Sequence, residues 1–230
     1  MYIFDTIKID IFIESIELKM TNKIIEFHES IVISEKYMFW TLKNIFDYVV
    51  CFILLPFLCV VTLIILFFNI FYNKGSVFFI QKRMGKDCKP FNAIKFRTMV
   101  SSDIIERKFS DPLEVDRITA FGKILRKIRI DELPQILNVI KGDMSLIGPR
   151  PDYYEHALLF LKNDPNYRMR HAIKPGISGL SQIRLGYAEG LNDTLKKSKI
   201  DIYYIENANY FLEVKIFFGT IITIIKGLGT

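Results

Sequence analysis

One run restricts this chain more than any other: VVCFILLPFLCVVTLIILFFNIFY, from Val49 to Tyr72, 24 residues without a charge. A straight helix of that length measures roughly 36 Å, against about 30 Å of bilayer hydrocarbon, so a membrane element is expected. Pro56 lies inside the run. Proline removes a backbone donor and clashes with the preceding turn, which kinks or breaks a helix. The arm after it, residues 57–72, reaches only about 24 Å, and the arm before it is shorter, so neither crosses alone. Lys36 and Lys43 precede the run, and Lys74, Lys82, Arg83 and Lys86 follow it. Lysine and arginine favour the cytoplasmic side. Positive charge at both ends fits a broken helix pair that enters and leaves on one face, with a kinked true span as the alternative.

The remaining chain divides around this run. Residues 1–39 form an N-terminal extension, mostly helical; residues 40–74 form the membrane element; residues 75–230 form a water-facing domain. The first residues carry mixed charges (Asp5, Lys8, Asp10, Glu14, Glu17) and do not have the pattern of a signal peptide. A formal net charge of +6 and a pI near 9.1 suit an acidic surface or a phosphorylated ligand. Nucleic acid is one such partner; an anionic membrane face together with a sugar nucleotide is another. Cys51, Cys59 and Cys88 form no C-x-x-C, and His28, His156 and His171 are too scattered for metal-ligand spacing, so neither a disulfide framework nor a zinc site is implied.

Within the domain, SVFFIQKRMGKDCKPFNAIKF predicts two strands around Gly85-Lys86-Asp87. Ser101–Asp116 is polar and loop-like. Residues 121–129 are predicted helical, with Phe121, Ile124, Leu125 and Ile128 on one face. Residues 212–228 form a strongly apolar helix, suited to a core, to the membrane interface or to a homo-oligomeric contact. The expected class is α+β, mostly helical: a re-entrant broken membrane helix plus a domain with a small β-hairpin and interfacial helices.

The densest chemistry lies in RIDELPQILNVIKGDMSLIGPRP, Arg129–Pro151. Asp131 and Glu132 read as a helix start, with Asp131 as N-cap and Gly142 as the stop. They also read as a reactive pair. Lys123, Arg126, Lys127 and Arg129 precede them closely, and a carboxylate among cations stays ionised, available as a nucleophile or a Mg²⁺ ligand. Neighbouring helical residues point about 100° apart, so the two acids are free to take different roles. Pro149 and Pro151 restrict the backbone around Arg150, and a fixed arginine fork matches phosphate oxygens. Arg83, Lys95 and Arg97 fall on or near the hairpin, where they meet either a phosphorylated ligand or lipid headgroups. Gln182 and Arg184 follow the Pro175, Gly176 and Gly179 loop, as further phosphate contacts.

These motifs, FFIQKRMG, FNAIKFRTM, AFGKILRKIRIDELPQILNVIKGDMSLIGPRP and KPGISGLSQIR, resemble the bacterial sugar transferase family, the monotopic polyprenyl-phosphate phosphoglycosyl transferases, in order and spacing from about Trp40 onwards. The resemblance implies a re-entrant helix broken near Pro56, placement on the cytoplasmic face of the inner membrane, Mg²⁺, a UDP-sugar donor and a polyprenyl phosphate acceptor, and no nucleic acid. It implies Asp131 as nucleophile, Glu132 as its partner through the metal or as a proton acceptor, and Arg83, Lys95, Arg97, Arg126, Arg150, Gln182 and Arg184 as contacts to the phosphorylated substrates. This sequence departs from the family pattern in three places. Leu55 stands where serine is frequent before the membrane proline, Ile183-Arg184 stands where Gly-Arg is common after the glutamine, and Ile128-Arg129 replaces small hydroxyl residues ahead of the acidic pair. Two other readings compete with a phosphoglycosyl transferase: a catalytically silent membrane-anchored scaffold of the same fold, and a glycosyltransferase that moves the sugar without its phosphate.

Overall fold

The structure, a computed structural model, describes residues 23, 26, 30–73, 75–100, 115–185 and 190–227. Most of the 1–39 extension and nearly all of the polar Ser101–Asp116 stretch therefore lie outside the described residues. The apolar run belongs to one helix, α1, Tyr37–Tyr72, 36 residues long. At 1.5 Å per residue that is about 54 Å. Pro56 is exposed inside it, and the helix is continuous through it instead of ending in two arms. The proline costs one backbone hydrogen bond, while the long apolar neighbours on both sides favour helix, so the local loss does not stop the element.

α1 buries one stripe. Lys43, Asp47, Cys51, Leu58, Val61, Ile65 and Asn69 recur at intervals of three, four and seven, which places them on one helical face. Cys51, Leu58, Val61 and Ile65 share a core with Phe96, Leu125, Ile136, Val139 and Met144. The opposite face leaves Ile53, Phe57, Leu63 and Phe67 open, and only 22% of the most apolar window is buried. That is too little for the core helix of a soluble domain, so this surface needs another apolar medium.

Polar anchors hold both ends of α1 to the same domain. Near the start, Lys43 Nζ pairs with Asp47 at 3.1 Å and Glu213 at 3.1 Å, and donates to Ser145 Oγ at 2.9 Å. Lys36 donates to the carbonyls of Glu206 and Ala208. Near the end, Asn69 donates to the Gly75 carbonyl at 2.8 Å and Asn73 to the Arg97 carbonyl at 2.7 Å.

The expected hairpin is present as β1 (Phe78–Met84) and β2 (Pro90–Phe96), antiparallel, with Arg83 opposite Phe91 and Lys95 opposite Phe79. Its turn places Asp87 and Cys88 in left-handed backbone at φ 55° and 58°. α2, Ala120–Lys127, begins at Thr119, whose hydroxyl accepts from the Gly122 amide. α3, Gln135–Lys141, ends at Gly142 with φ 92°, as the glycine stop predicts. Asn138 fastens α3 to β2: it donates to the Asn92 carbonyl at 2.7 Å and accepts from the Ile94 amide at 3.0 Å.

A second pair of strands has no counterpart in the sequence reading. β3 (Ser145–Ile147) runs parallel to β4 (Gly176–Ser178). The two chains touch so closely that a Cβ on Gly176 would sit 2.1 Å from the Gly148 nitrogen. Only glycine permits this contact. Four further helices follow among the described residues: α4, Tyr154–Asn163; α5, Leu180–Leu185; α6, Gly190–Asn207; and α7, Tyr210–Ile225. α7 is the predicted apolar C-terminal helix. Its residues Phe211, Phe217, Phe218 and Ile225 are open to the outside, while Ile216 is buried.

Candidate active site

Asp131 and Glu132 lie in a single 3₁₀ turn, Ile130–Glu132, between α2 and α3. The helix-cap reading of Asp131 fails on this point. α3 starts only at Gln135, with Pro134 before it and no side-chain cap bond. The residue ahead of the turn, Arg129, holds φ 57°. A non-glycine residue in left-handed backbone costs about 1–2 kcal/mol. That reversal turns the chain sharply enough to bring two adjacent carboxylates into the interior side by side.

The two acids have opposite surroundings. Glu132 is 5% exposed and meets three cations. Lys95 Nζ lies 2.6 Å from Oε1; the Arg150 fork reaches both oxygens, at 2.5 and 3.1 Å; and Arg129 lies 3.4 Å from Oε2. Although burial acts against its ionised form, Arg150 and Lys95 hold the Glu132 carboxyl well below the usual range. Asp131 is 9% exposed, and among the described residues no side-chain hydrogen bond or ion pair engages it. Burial, and then the charge of Glu132, push its carboxyl above the usual range, opposed by Lys95, Arg126 and Arg150. One acid is thus held by cations and the other faces them with its oxygens uncommitted.

Arg83, Lys95, Gln135 and Arg150 line a small open cavity with Ala93 and Pro151. Burial lowers the Lys95 ammonium to about 8, with Arg150 and Arg83 acting the same way and Glu132 against them. Arg150 stands on a loop whose carbonyls are held from residue 149 to residue 152. Gly176 donates to the Pro149 carbonyl at 2.9 Å, Arg170 to that of Arg150 at 2.8 Å, Arg83 to that of Pro151 at 3.1 Å, and Met84 to that of Asp152 at 3.1 Å.

Of the sequence-derived candidates, Asp131, Glu132, Arg83, Lys95 and Arg150 come together. Arg126 is close enough to act on Asp131, while its Nε donates to Thr98 Oγ1 at 2.8 Å. Arg97 is placed differently: it is buried, and donates to the carbonyls of Asn73 and of Ser76, the latter at 2.6 Å. It ties the end of α1 to the start of β1. Arg184 is exposed and lies over the Tyr203 ring at 5.8 Å. Gln182 Oε1 is buried in α5. Neither belongs to the Glu132 cluster. Gln135 is a member that the sequence did not single out, and Arg129, one of the four basic residues ahead of the pair, is the one of them that pairs with Glu132.

For a divalent cation the fit is uneven. Mg²⁺ takes one or two protein carboxylates together with substrate phosphates. Asp131 offers such a carboxylate, whereas both Glu132 oxygens already meet cationic donors. Among the described residues no group of three or more His, Cys, Asp or Glu side chains gathers in the manner of an all-protein metal site.

A family model described as bacterial sugar transferase matches residues 38–227. A UDP-N-acetylgalactosamine-undecaprenyl-phosphate N-acetylgalactosaminephosphotransferase of Aeromonas hydrophila is 46% identical over 158 residues, covering 68% of this chain and 37% of the relative. The uncharacterized sugar transferase EpsL of Bacillus subtilis is 39% identical over 193 residues, 82% of this chain and 89% of the relative. A UDP-glucose:undecaprenyl-phosphate glucose-1-phosphate transferase of Klebsiella pneumoniae is 38% identical over 157 residues, 67% of this chain and 33% of the relative. The chain therefore spans most of the length of EpsL and about a third of the other two.

Proposed function

The chain belongs to the bacterial sugar transferase family, and we propose that it moves a sugar 1-phosphate from a UDP-sugar to a polyprenyl phosphate, releasing UMP. The observation that carries this reading is the asymmetry of the acidic pair: an uncommitted Asp131 beside a Glu132 held by Lys95, Arg129 and Arg150. An Asp131 oxygen forms a bond to the β-phosphorus of the donor. The bridging bond between the α and β phosphates breaks, and its electron pair leaves with UMP. A phosphate oxygen of the polyprenyl acceptor then attacks the same phosphorus, the acyl–phosphate bond breaks, and Asp131 regains its carboxylate. The product is a polyprenyl diphosphate sugar.

Arg83, Lys95 and Arg150 supply the positive field that lets an anion approach a diphosphate. Glu132 orients that field by holding Arg150 and Lys95. It does not serve as a second nucleophile, since cations occupy both its oxygens. Asp131 would hold a Mg²⁺ ion together with the donor phosphates, and such an ion supplies further neutralisation of their charge.

Release of UMP from a UDP-sugar, dependent on polyprenyl phosphate, tests the reading. The donor panel should contain UDP-N-acetylgalactosamine and UDP-glucose, the donors named for the relatives. Release of UDP would assign the protein to glycosyl transfer, and no release with any donor would favour the silent scaffold.

The Lys95 ammonium gives the reaction a pH signature. Between pH 7 and 9 it loses its proton and the donor site loses a positive charge, so kcat/KM should fall above about pH 8. Lys95→Arg should move that fall to higher pH, because a guanidinium keeps its charge. A decline left in place by this variant would assign the limb to another group.

α1 would keep both of its ends on the cytoplasmic side of the membrane, with its open face in lipid. This is supported by the polar anchors at both ends, Lys43 with Glu213 and Asn73 with the Arg97 carbonyl, which tie the two ends to one domain. Cysteines placed at position 23 and position 227 of the Cys-free protein should react with an impermeant maleimide only from the cytoplasmic side. Labelling of position 23 from outside would replace this arrangement with a span.

A further inference from the structure

We infer that Arg170, a buried side chain of the turn Pro165–His171, is a positioning residue that holds Arg150 in register with Glu132. The inference rests on the reading of Arg150 as part of the donor site. Arg170 has a fully buried side chain, 0% exposed, away from the reacting groups. All five of its donors are used. Nε and NH2 reach Asp201 at 3.0 and 2.6 Å, NH1 reaches Asp152 and, at 2.8 Å, the Tyr167 hydroxyl, and NH2 also donates to the Arg150 carbonyl at 2.8 Å. Asp152 in turn receives Lys197 Nζ at 2.8 Å and Tyr167 at 2.5 Å.

The geometry is more specific than packing requires. Burying a guanidinium with two carboxylates carries a large desolvation cost, and well-packed apolar residues often replace such clusters without loss of stability. What apolar residues cannot replace is the donor to the Arg150 carbonyl. The donors to the carbonyls of residues 149–152 (Gly176, Arg170, Arg83 and Met84) all lie outside that stretch. Arg170 supplies the hold at Arg150 itself and, through Asp152, the hold at the residue after Pro151. A shift of the loop there would move the fork that meets both Glu132 oxygens.

Arg170→Lys keeps the charge and removes the fork; Asp201→Asn keeps the shape and releases one side of Arg170. Both should lower kcat for UMP release by on the order of 10- to 100-fold, the effect of a misplaced catalytic contact, when each variant is assayed well below its own melting temperature, which the loss of a buried ion pair also lowers. In an Arg150→Ala background the same substitutions should cost no more than about a further twofold, because a residue acting through Arg150 has nothing left to position. Full additivity, or unchanged kcat in both variants, would overturn the inference.

A second measurement does not depend on turnover. The amides of Met84 and Gly176 donate to the carbonyls of Asp152 and Pro149 and so report on the loop directly. Their hydrogen exchange should quicken at least about tenfold in the variants, while the Ile94 amide, held by Asn138, keeps its rate. Wild-type exchange at both amides would sink the inference even if the wild-type protein released no UMP, an outcome that would by itself remove only the proposed activity.

Discussion

Asp131→Asn should abolish UMP release, by on the order of 10⁴-fold or more, while leaving the fold at least as stable as the wild type. The loss of turnover follows from the bond that Asp131 forms: an amide is not a nucleophile toward phosphorus at neutral pH, and neighbouring groups do not replace a missing covalent step. The stability follows from its surroundings. Burial and the charge of Glu132 raise the Asp131 carboxyl above its usual range. A group whose folded pKa is raised contributes stability below its unfolded pKa and loses that contribution as pH rises through the folded value. At neutral pH the ionised Asp131 therefore opposes folding, and asparagine removes the opposition. Intact-mass spectrometry after mixing with a UDP-sugar should show a sugar-phosphate adduct on the wild type and none on the variant. Turnover within tenfold of wild type, or an adduct that survives the substitution, would refute the covalent role. A large fall in melting temperature would refute the electrostatic account instead.

What the sequence disclosed and what it withheld follow from interaction range. Strand β1, strand β2, the glycine stop at Gly142 and the apolar helices are written in local periodicity and turn chemistry, and they lie where those signals put them. The continuity of α1 was not legible, because proline's effect is read from one residue and the helix is decided by the 35 around it. The β3–β4 pair was hidden by its length, three residues a side, which is too short for an alternation to show. The site divides in the same manner. Asp131, Glu132 and Arg150 are flagged by one compact motif. Lys95 comes 37 residues before Glu132 and meets it because β2 packs against the turn and against α3, where Asn138 fastens them. Lys95 in β2 and Arg97 just past its end look equivalent in the sequence. Nothing local distinguishes the one that ties α1 to β1 from the one that pairs with Glu132.

The partner acid should behave in the opposite way to Asp131. Glu132→Gln removes the negative charge around which Lys95, Arg129 and Arg150 are arranged, and leaves three cations facing one another. An amide nitrogen in place of one oxygen also sets donor against donor. Breaking a buried pair by removing one partner costs about 3–5 kcal/mol, and the lower figure applies here because Arg129 and Arg150 keep partial contact with water. For a domain of this size that amounts to a fall of roughly 10 °C in melting temperature. The acid behaviour discriminates further. The Glu132 carboxyl is held well below its usual value of 4.5. Its contribution is therefore complete above that unfolded value and is lost as pH falls through the folded one. The stability gap between wild type and Glu132→Gln should be widest near neutrality and close in acid, whereas the gap between wild type and Asp131→Asn should carry the other sign at neutral pH. If both substitutions lowered the melting temperature equally, the two carboxylates would be structurally equivalent, and the division of labour assigned to them would fall with that result.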